Sequence, residues 1–178
     1  METGDVRVNV GALDLLDFGA DAVYFPAGLQ LLHAAIGLQN GDGDTDWIGS
    51  VPIQLMPAAS VDTEYWWWLD LDERPDWVVD FDLVNIEREH LGQRHGLRLV
   101  AEALSEISFG RSCLATIVAE PKGWQSLKQR DRGPALAALD RHWRRLGFEG
   151  GEVRADSVGD RRMSMLVRDY AVPEFLRS

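Results

Sequence analysis

The residues whose types and spacing most clearly indicate a chemical role form the short stretch QRHGLR, at positions 93–98. It stands between an apolar run and an amphipathic one, so we expect a turn that opens a helix. The first backbone N–H groups of a helix have no partner within it, and together with the helix dipole they favour an anion such as a phosphate. Arg94 and Arg98 would add charge-assisted hydrogen bonds. Glycine turns before helices are common, so an ordinary helix start is the alternative.

The apolar runs around this stretch predict a mixed α/β domain, in which helices flank a central mixed sheet. An opening strand is indicated by three valines that alternate with polar residues, Val6, Val8 and Val10. Residues 27–38 have the spacing of an amphipathic helix. Further strands are expected at 47–55, 64–71, 76–86, 112–120, 149–155 and 163–169, and further helices at 96–109 and 135–146.

Proline and glycine indicate where some of these elements begin, end or bend. Pro52 places the 47–55 strand at a sheet edge or at a bulge. Turn residues at 72–75 predict that the strands before and after them form a hairpin. A basic loop is expected at 122–133, followed by a helix with Pro134 at its first position.

The helix over 135–146 has an apolar stripe that predicts its buried side. The stripe consists of Leu136, Leu139, Trp143 and Leu146. Trp143 should therefore face the core. Gly147 is expected to end the helix in a left-handed conformation, and Phe148 to pack back on its last turn. Three arginines near this end, Arg141, Arg144 and Arg145, are explained by the negative end of the helix dipole.

The charge is divided unevenly along the chain. The net charge is −11, with a balance of −15 over residues 1–87 and of +4 over residues 88–178. This division indicates a phosphate-bearing ligand for the basic half and a cationic one for the acidic half, with a solvated surface as the alternative. Nucleic acid is expected to be excluded, because the whole protein would repel it.

Composition also limits the compartment and the cofactors. Cys113 is the only cysteine, which excludes an internal disulfide and cysteine-rich zinc sites and favours a reducing cytoplasm. The four histidines show no metal-ligand spacing. The first residues do not resemble a signal peptide, and no apolar run reaches the roughly 18 residues of a membrane span, so no membrane partner is expected. A homodimer is one assembly that the composition leaves open.

Three stretches, in this order, resemble the GNAT superfamily of N-acetyltransferases: QRHGLR (93–98), SCLATIVAEP (112–121) and HWRRLGFE (142–149). The resemblance covers residues 64–170 and implies one GNAT-like domain, with residues 1–60 on the acceptor side. In that family the turn before the helix holds the pyrophosphate of acetyl-CoA. Two departures are Arg98, where a small residue usually ends the turn, and Trp143, where a tyrosine often serves as general acid. His142 is expected on a different helix face, and the place of Tyr170 is left open.

The resemblance implies a set of site residues. The phosphate turn would comprise Gln93, Arg94, His95, Gly96, Leu97 and Arg98, and the pantetheine arm would pair with Leu83, Val84, Asn85 and Ile86. The candidates for the 3′-phosphate are Lys122, Lys128, Arg130 and Arg132, and those for the general base are Asp80, Asp82 and Glu120. By the two-residue period, Asp80 and Asp82 should share one face of their strand.

The function implied is transfer of an acyl group from acetyl-CoA, or another acyl-CoA, directly to an amine within a ternary complex. The charge division favours a cationic acceptor, either a small molecule or a peptide. The alternative is a catalytically degenerate GNAT-like module that only binds CoA or another protein. A third possibility is a domain of the same α/β class without a CoA site.

Overall fold

The computed structural model describes residues 5–12, 28–61, 74–121, 126–150 and 161–177. The strands in these ranges are β1 (Val6–Ala12), β2 (Gln30–Gln39), β3 (Thr45–Pro57), β4 (Trp77–Phe81), β5 (Asn85–Ile86), β6 (Ser112–Val118), β7 (Glu149–Gly150) and β8 (Arg162–Arg168). The helices are α1 (His95–Ile107) and α2 (Gln129–Arg144). The predicted strand at 64–71, its hairpin and most of the strand at 149–155 lie outside the described residues.

The described strands form one open mixed sheet. Its order is β1-β2-β3-β4-β6-β8-β7, and β5 pairs with β3 beside β4. The β4–β6 pair is parallel and the others are antiparallel. A parallel pair needs a crossover, which α1 supplies between β4 and β6. The predicted fold class, a mixed α/β domain with a central mixed sheet, is confirmed.

Helix α1 packs on one face of the sheet. Its side of the core is built from fully buried residues that include Leu97, Val100 and Leu104. On the sheet, Val8 of β1 stands opposite Ile36 of β2, and both belong to or pack against this core. Burying a side chain of this kind contributes roughly 1.5–3 kcal/mol. The strand of valines and the helix at 96–109 are therefore found where they were expected.

The helix predicted at 27–38 is wrong, because most of this segment forms strand β2. The short apolar run LLHAAIGL fits both periods, and periodicity alone does not separate a strand from a buried helix. Pairing decides it: β2 lies between β1 and β3. Ala34 and Ile36 are 0% exposed and alternate with the half-buried His33 and Ala35, as expected for a strand.

Pro52 does not lie at a sheet edge, because β3 has neighbours on both sides. The predicted bulge is the alternative that agrees with the structure: between the Ile53–Phe81 and Ser50–Asn85 pairs, two residues of β3 face the three residues 82–84. The Pro52 carbonyl accepts the Asp82 N–H at 3.0 Å, just beyond the end of β4. The ring nitrogen of Pro52 faces the same side, where the ladder stops and a donor is not needed.

Helix α2 begins at Gln129, five residues before Pro134, the predicted first position, so the last five residues of the predicted basic loop are helical. Pro134 lies inside the helix, where it leaves the carbonyl of the exposed Arg130 for water to bind. The other end agrees with prediction. Trp143 is 3% exposed, Gly147 has φ +100°, and Phe148 is fully buried after it.

Candidate functional site

A gap opens in the sheet where β4 and β6 separate. Their parallel pairing ends at Phe81 and Ile117. Beyond this point the Asp82 N–H still bonds to β3, at 3.0 Å, whereas the Ala119 N–H donates to Arg161 O beside β8, at 2.6 Å. The two segments of the chain are thus held to opposite sides, and a space forms between segment 82–86 and the end of β6.

Gly49 of β3 fixes segment 82–86 on its side of the gap. A Cβ on Gly49 would lie 2.3 Å from Ile86 Cδ1 and 2.8 Å from the Asn85 carbonyl oxygen. Only a glycine therefore permits β5 to pair this closely with β3. The pairing leaves the other edge of β5 directed at the gap.

A cleft of about 610 Å³ occupies this gap and continues to α2. Its lining includes Val84 and Ile86 from the strand side, Gly96 from α1, and Leu139 and His142 from α2. Arg161 ties α2 in place, because its guanidinium bonds the Asp140 carboxylate at 2.5 and 2.6 Å and the Ala119 carbonyl at 3.3 Å. The cleft therefore lies between segment 82–86, which β3 holds in place, and α2, which Arg161 holds in place.

The N-terminus of α1 opens into this cleft. Arg94 precedes the helix with φ +65° and provides no side-chain cap. The first intrahelical bond runs from Arg98 N to Arg94 O at 3.0 Å, so the N–H groups of His95, Gly96 and Leu97 come before it. Gly96 has no side chain to cover them. This is the arrangement in which backbone amides bind a phosphate.

Two arginines stand beside these amides. Arg94 and Arg145 both line the cleft. Their guanidinium carbons lie 5.9 and 4.6 Å from the centre of the Phe175 ring, and Arg94 also donates to the Phe175 carbonyl at 3.5 Å. Phe175 thus holds two cations from different helices at one end of the cleft. Their charge adds to that of the helix dipole.

Two imidazoles line the same cleft, and both have lowered pKa values. Burial lowers the pKa of His142, and Arg145 lowers it further. Burial also lowers the pKa of His95, with smaller contributions from His90 and Arg98. Both rings are therefore neutral at pH 7, and each has a nitrogen that can accept a proton.

Trp143 occupies the position where the family often has an acid. It lines the cleft, and its ring lies 4.7 Å from that of His142 in an edge-to-face arrangement. Its indole nitrogen is buried and has no hydrogen-bond partner among the described residues. An indole N–H donates a hydrogen bond but does not release its proton at neutral pH.

The sequence itself matches no protein-family model and no curated protein. Its three-dimensional structure does match solved ones. A putative GNAT-family acetyltransferase from Desulfovibrio desulfuricans is 14% identical, with a TM-score of 0.45 over 93% of this chain and 99% of that one. NAA60 from Arabidopsis thaliana, in complex with acetyl-CoA, is 12% identical, with a TM-score of 0.43 over 90% and 97%. A bacterial toxin is 13% identical, with a TM-score of 0.48 over 75% and 67%.

The exclusion of nucleic acid as a partner is wrong. Matching structures include the KacTA–DNA complex, at 10% identity and a TM-score of 0.43, and AtaT complexed with acetyl-methionyl-tRNAfMet, at 10% identity and a TM-score of 0.41. One of these two matching structures thus contains DNA, and the other contains a tRNA. Net charge describes the average field of a protein, whereas a nucleic acid contacts a local surface.

The carboxylates expected to act as bases lie in three different settings. Asp80 is buried in β4, where its carboxylate accepts from Thr116 Oγ1 at 2.6 Å and pairs with Arg162. Asp82 lies beyond the end of β4 and accepts the N–H of the next residue at 2.8 Å, so the two do not share a strand face. Glu120 accepts the Arg161 N–H at 2.9 Å.

The residues of the predicted phosphate turn divide between the cleft and other surfaces. Arg94, His95 and Gly96 line the cleft, whereas Leu97 is fully buried in the core. Gln93 is exposed, and its side chain bonds back to the preceding turn and to His95.

Arg98 is directed away from the cleft. Its guanidinium pairs with Glu102 at 2.6 Å and donates to the Val6 carbonyl at 3.5 Å. The long side chain that departs from the family pattern therefore lies against β1 and leaves the turn open.

The predicted 3′-phosphate cations lie at the start of α2. Lys128 and Arg130 are exposed and border a shallow hollow of their own on the surface, next to Gln129. Arg132 donates to the Leu127 carbonyl at 3.1 Å. Lys122 lies outside the described residues. Their role toward a phosphate stays a prediction.

Among the residues of the cleft lining to which sequence reasoning gave no role are His142 and Arg145. The sequence placed His142 on a different helix face from Trp143, but that face was not connected with a cleft, and Arg145 was explained by the helix end. That face is visible in the spacing of Ala135, Ala138, Leu139 and His142, which recur at intervals of three, one and three residues. Small and apolar residues at i, i+3, i+4 and i+7 mark one side of a helix, and here they mark the cleft.

Tyr170 lies away from the cleft and gives a first testable prediction. Its hydroxyl donates to the Leu146 carbonyl at 3.0 Å, and burial raises the pKa of Tyr170 to about 12. Between pH 10 and 12 the folded state therefore holds a proton that the unfolded state releases, so stability falls as pH rises through this range.

We expect Tyr170→Phe to cost about 1 kcal/mol at pH 7 through the lost hydrogen bond, and a smaller amount at pH 11. Urea unfolding at both pH values measures the two differences. An equal loss at pH 7 and pH 11 would contradict the assignment of the raised pKa to this hydroxyl.

The described helices include none that is both long and apolar enough to cross a lipid bilayer.

Proposed function

We propose that the protein is an acyl-CoA-dependent N-acyltransferase, with acetyl-CoA as donor and a cationic amine as acceptor. The observation that carries this proposal is the cleft between segment 82–86, α1 and α2, which an uncapped helix N-terminus and two arginines border at one end. It combines an anion-binding end with an apolar middle formed by Val84, Ile86 and Leu139. A CoA thioester has the same division between diphosphate and pantetheine arm.

The diphosphate would bind the N–H groups of residues 95–97, with Arg94 and Arg145 as charged partners. The pantetheine arm would then lie along segment 83–86, whose edge facing the cleft is not used in pairing with β3. An extended amide chain can add to such an edge as a further strand. Lys128 and Arg130 remain our candidates for the 3′-phosphate.

In the transfer, the amine nitrogen attacks the thioester carbonyl carbon, the C–N bond forms, and the C–S bond breaks to leave the CoA thiolate. The attacking amine must be neutral, so a base has to take its proton. Asp80, Asp82 and Glu120 are the candidates from the sequence. His142 joins them, because it lines the cleft and burial keeps it neutral at pH 7.

The test is calorimetric titration of the protein with acetyl-CoA and, separately, with dephospho-CoA. Micromolar binding that weakens without the 3′-phosphate is expected. Arg94→Gln and Arg145→Gln should each weaken acetyl-CoA binding by roughly 3–10-fold, as for loss of one charge-assisted contact. Arg144→Gln is the matched control, since Arg144 is exposed at the same helix end and does not border the cleft. Equal effects of all three substitutions would contradict the assigned phosphate site.

A CoA-binding module without catalysis is the second candidate, and Trp143 is the observation that favours it. Without an acid at this position the thiolate must leave unassisted or take its proton from another group. The two functions differ in turnover: an enzyme releases thiol from acetyl-CoA in proportion to added amine, whereas a binding module shows affinity alone.

A further inference from the structure

Strand β5 separates the cleft from a second hollow on the opposite face of the sheet. Successive residues of a strand point to opposite faces. Val84 and Ile86 point to the cleft, where their Cγ1 atoms lie 3.6 and 3.7 Å from the Cβ position of Gly96. Asn85 and Glu87 alternate with them and line the second hollow, which has a volume of about 450 Å³. Asn85 borders both spaces.

The floor of this hollow is a row of directly paired residues. Asn9 on β1 stands opposite Ala35 on β2, Ala35 opposite Ser50 on β3, and Ser50 opposite Asn85 on β5. Paired residues in adjacent strands have their side chains about 5 Å apart on the same face. The sheet thus presents amide and hydroxyl groups around one small side chain, and the row ends where the cleft begins.

The walls of the hollow carry an aromatic ring and a carboxylate. Trp47 is 49% exposed, an unusual exposure for a large apolar ring, and Glu87 stands near the junction with the cleft. His33 completes the described lining, in which no lysine or arginine occurs. An indole face and a carboxylate together attract a cation, the first through its quadrupole and the second through its charge.

We propose that this hollow binds the acceptor, a primary amine that carries a second cationic group. Glu87 and Trp47 hold the charged group, and Asn9, Ser50 and Asn85 offer hydrogen bonds to the polar remainder. The reacting nitrogen points past Asn85 into the gap where β4 and β6 separate. The inference rests on the proposed function, since it names the acceptor of the same transfer.

Glu87 has one competing use, because Glu87, Glu89 and His90 place possible metal-ligand atoms within 4.8 Å of one another. A metal site would need Glu89 as much as Glu87. The amine site needs Glu87 alone, since Glu89 does not line the hollow. Glu89→Gln is therefore the matched control, an exposed carboxylate of the same charge two residues away.

The experiment is calorimetric titration with 1,4-diaminobutane, and with uncharged 1,4-butanediol for comparison. The protein is used free and saturated with coenzyme A, which has no acyl group to transfer. We expect the diamine to bind and the diol not to bind. Glu87→Gln should weaken diamine binding about tenfold and Trp47→Leu several-fold, with a smaller loss in Trp47→Phe, which keeps a weaker aromatic face. Glu89→Gln should bind as the unaltered protein does.

Equal diamine affinity in Glu87→Gln and the unaltered protein would overturn the inference, and so would the absence of diamine binding. Equal losses in Glu87→Gln and Glu89→Gln would also overturn it, because the two exposed carboxylates would then attract the diamine by charge alone. The titration with acetyl-CoA is interpreted separately from the titration with the diamine. If the diamine binds as expected but acetyl-CoA does not bind, the proposed function fails while the cation site stands. A thermal melt of each variant checks whether the sheet is intact.

Discussion

Replacing Gly96 by phenylalanine is expected to weaken acetyl-CoA binding at least roughly 100-fold, which corresponds to about 2.7 kcal/mol. The Cβ position at Gly96 is 3.6 Å from Val84 Cγ1 and 4.0 Å from His142 Nε2, so a methyl group is accommodated but a ring must extend into the cleft. The fold should persist, because glycine is among the weakest helix formers and phenylalanine is a better one. Calorimetry and a thermal melt measure the two effects.

The matched control is Gly133→Phe. Gly133 is also a helical glycine, in α2, and no heavy atom lies within 4 Å of its Cβ position. This variant should bind acetyl-CoA with unchanged affinity. If Gly96→Phe also binds acetyl-CoA normally while remaining folded, the cleft is not the CoA site, and the acyltransferase proposal has to be abandoned.

The second large effect is expected at Asp80, and it concerns stability. The carboxylate is buried between Thr116 and Arg162. Asp80→Ala removes one member of a partly buried ion pair and leaves the Arg162 guanidinium and the Thr116 hydroxyl without it, at a cost of about 3 kcal/mol. Asp80→Asn keeps an acceptor for Thr116 and should lose less. Urea unfolding at pH 7 gives both values.

The same variants separate a structural from a catalytic role. If Asp80 were the general base, Asp80→Asn would lower kcat strongly while the unfolding midpoint stayed nearly constant. We expect the opposite result for Asp80→Asn, in which the unfolding midpoint falls clearly and kcat changes less. His142→Gln provides the comparison, because a side chain that takes the proton of the amine should change kcat and the acidic limb of the pH profile together.

The elements that sequence predicted well are those whose signal is local. Helix α1 combines a long periodic apolar face with a clear start, and β6 is a short apolar run ended by a proline. Trp143 followed from spacing on its own helix. Strand β2 could not be assigned in this way, since its apolar run suits either structure and only its pairing with β1 and β3 decides.

The site residues can be divided in the same way, into those with a local sequence signal and those without one. The phosphate turn is continuous in sequence, so its residues could be named, and Arg94 and Gly96 do line the cleft. Arg98 was named with them, but it pairs with Glu102 one turn further along α1, and its contact with the Val6 carbonyl depends on where β1 lies. Arg145 was explained by its own helix dipole. Its place beside Arg94 depends on Phe175, and local spacing does not record a contact made by three distant segments.

Because Phe175 contacts both Arg94 and Arg145, the anion-binding end of the cleft cannot form before Phe175 has been synthesised. Arg94 and Phe175 are separated by 81 positions in the chain. At a ribosomal rate of about 5–20 residues per second, roughly 4–16 seconds pass between the synthesis of the two. Helix α1, strand β6 and Arg145 are synthesised during that interval, but the arginines still lack the ring that both of them contact. The anion-binding end of the cleft is thus completed only once Phe175 has been synthesised, after the helices α1 and α2 that carry or adjoin its arginines.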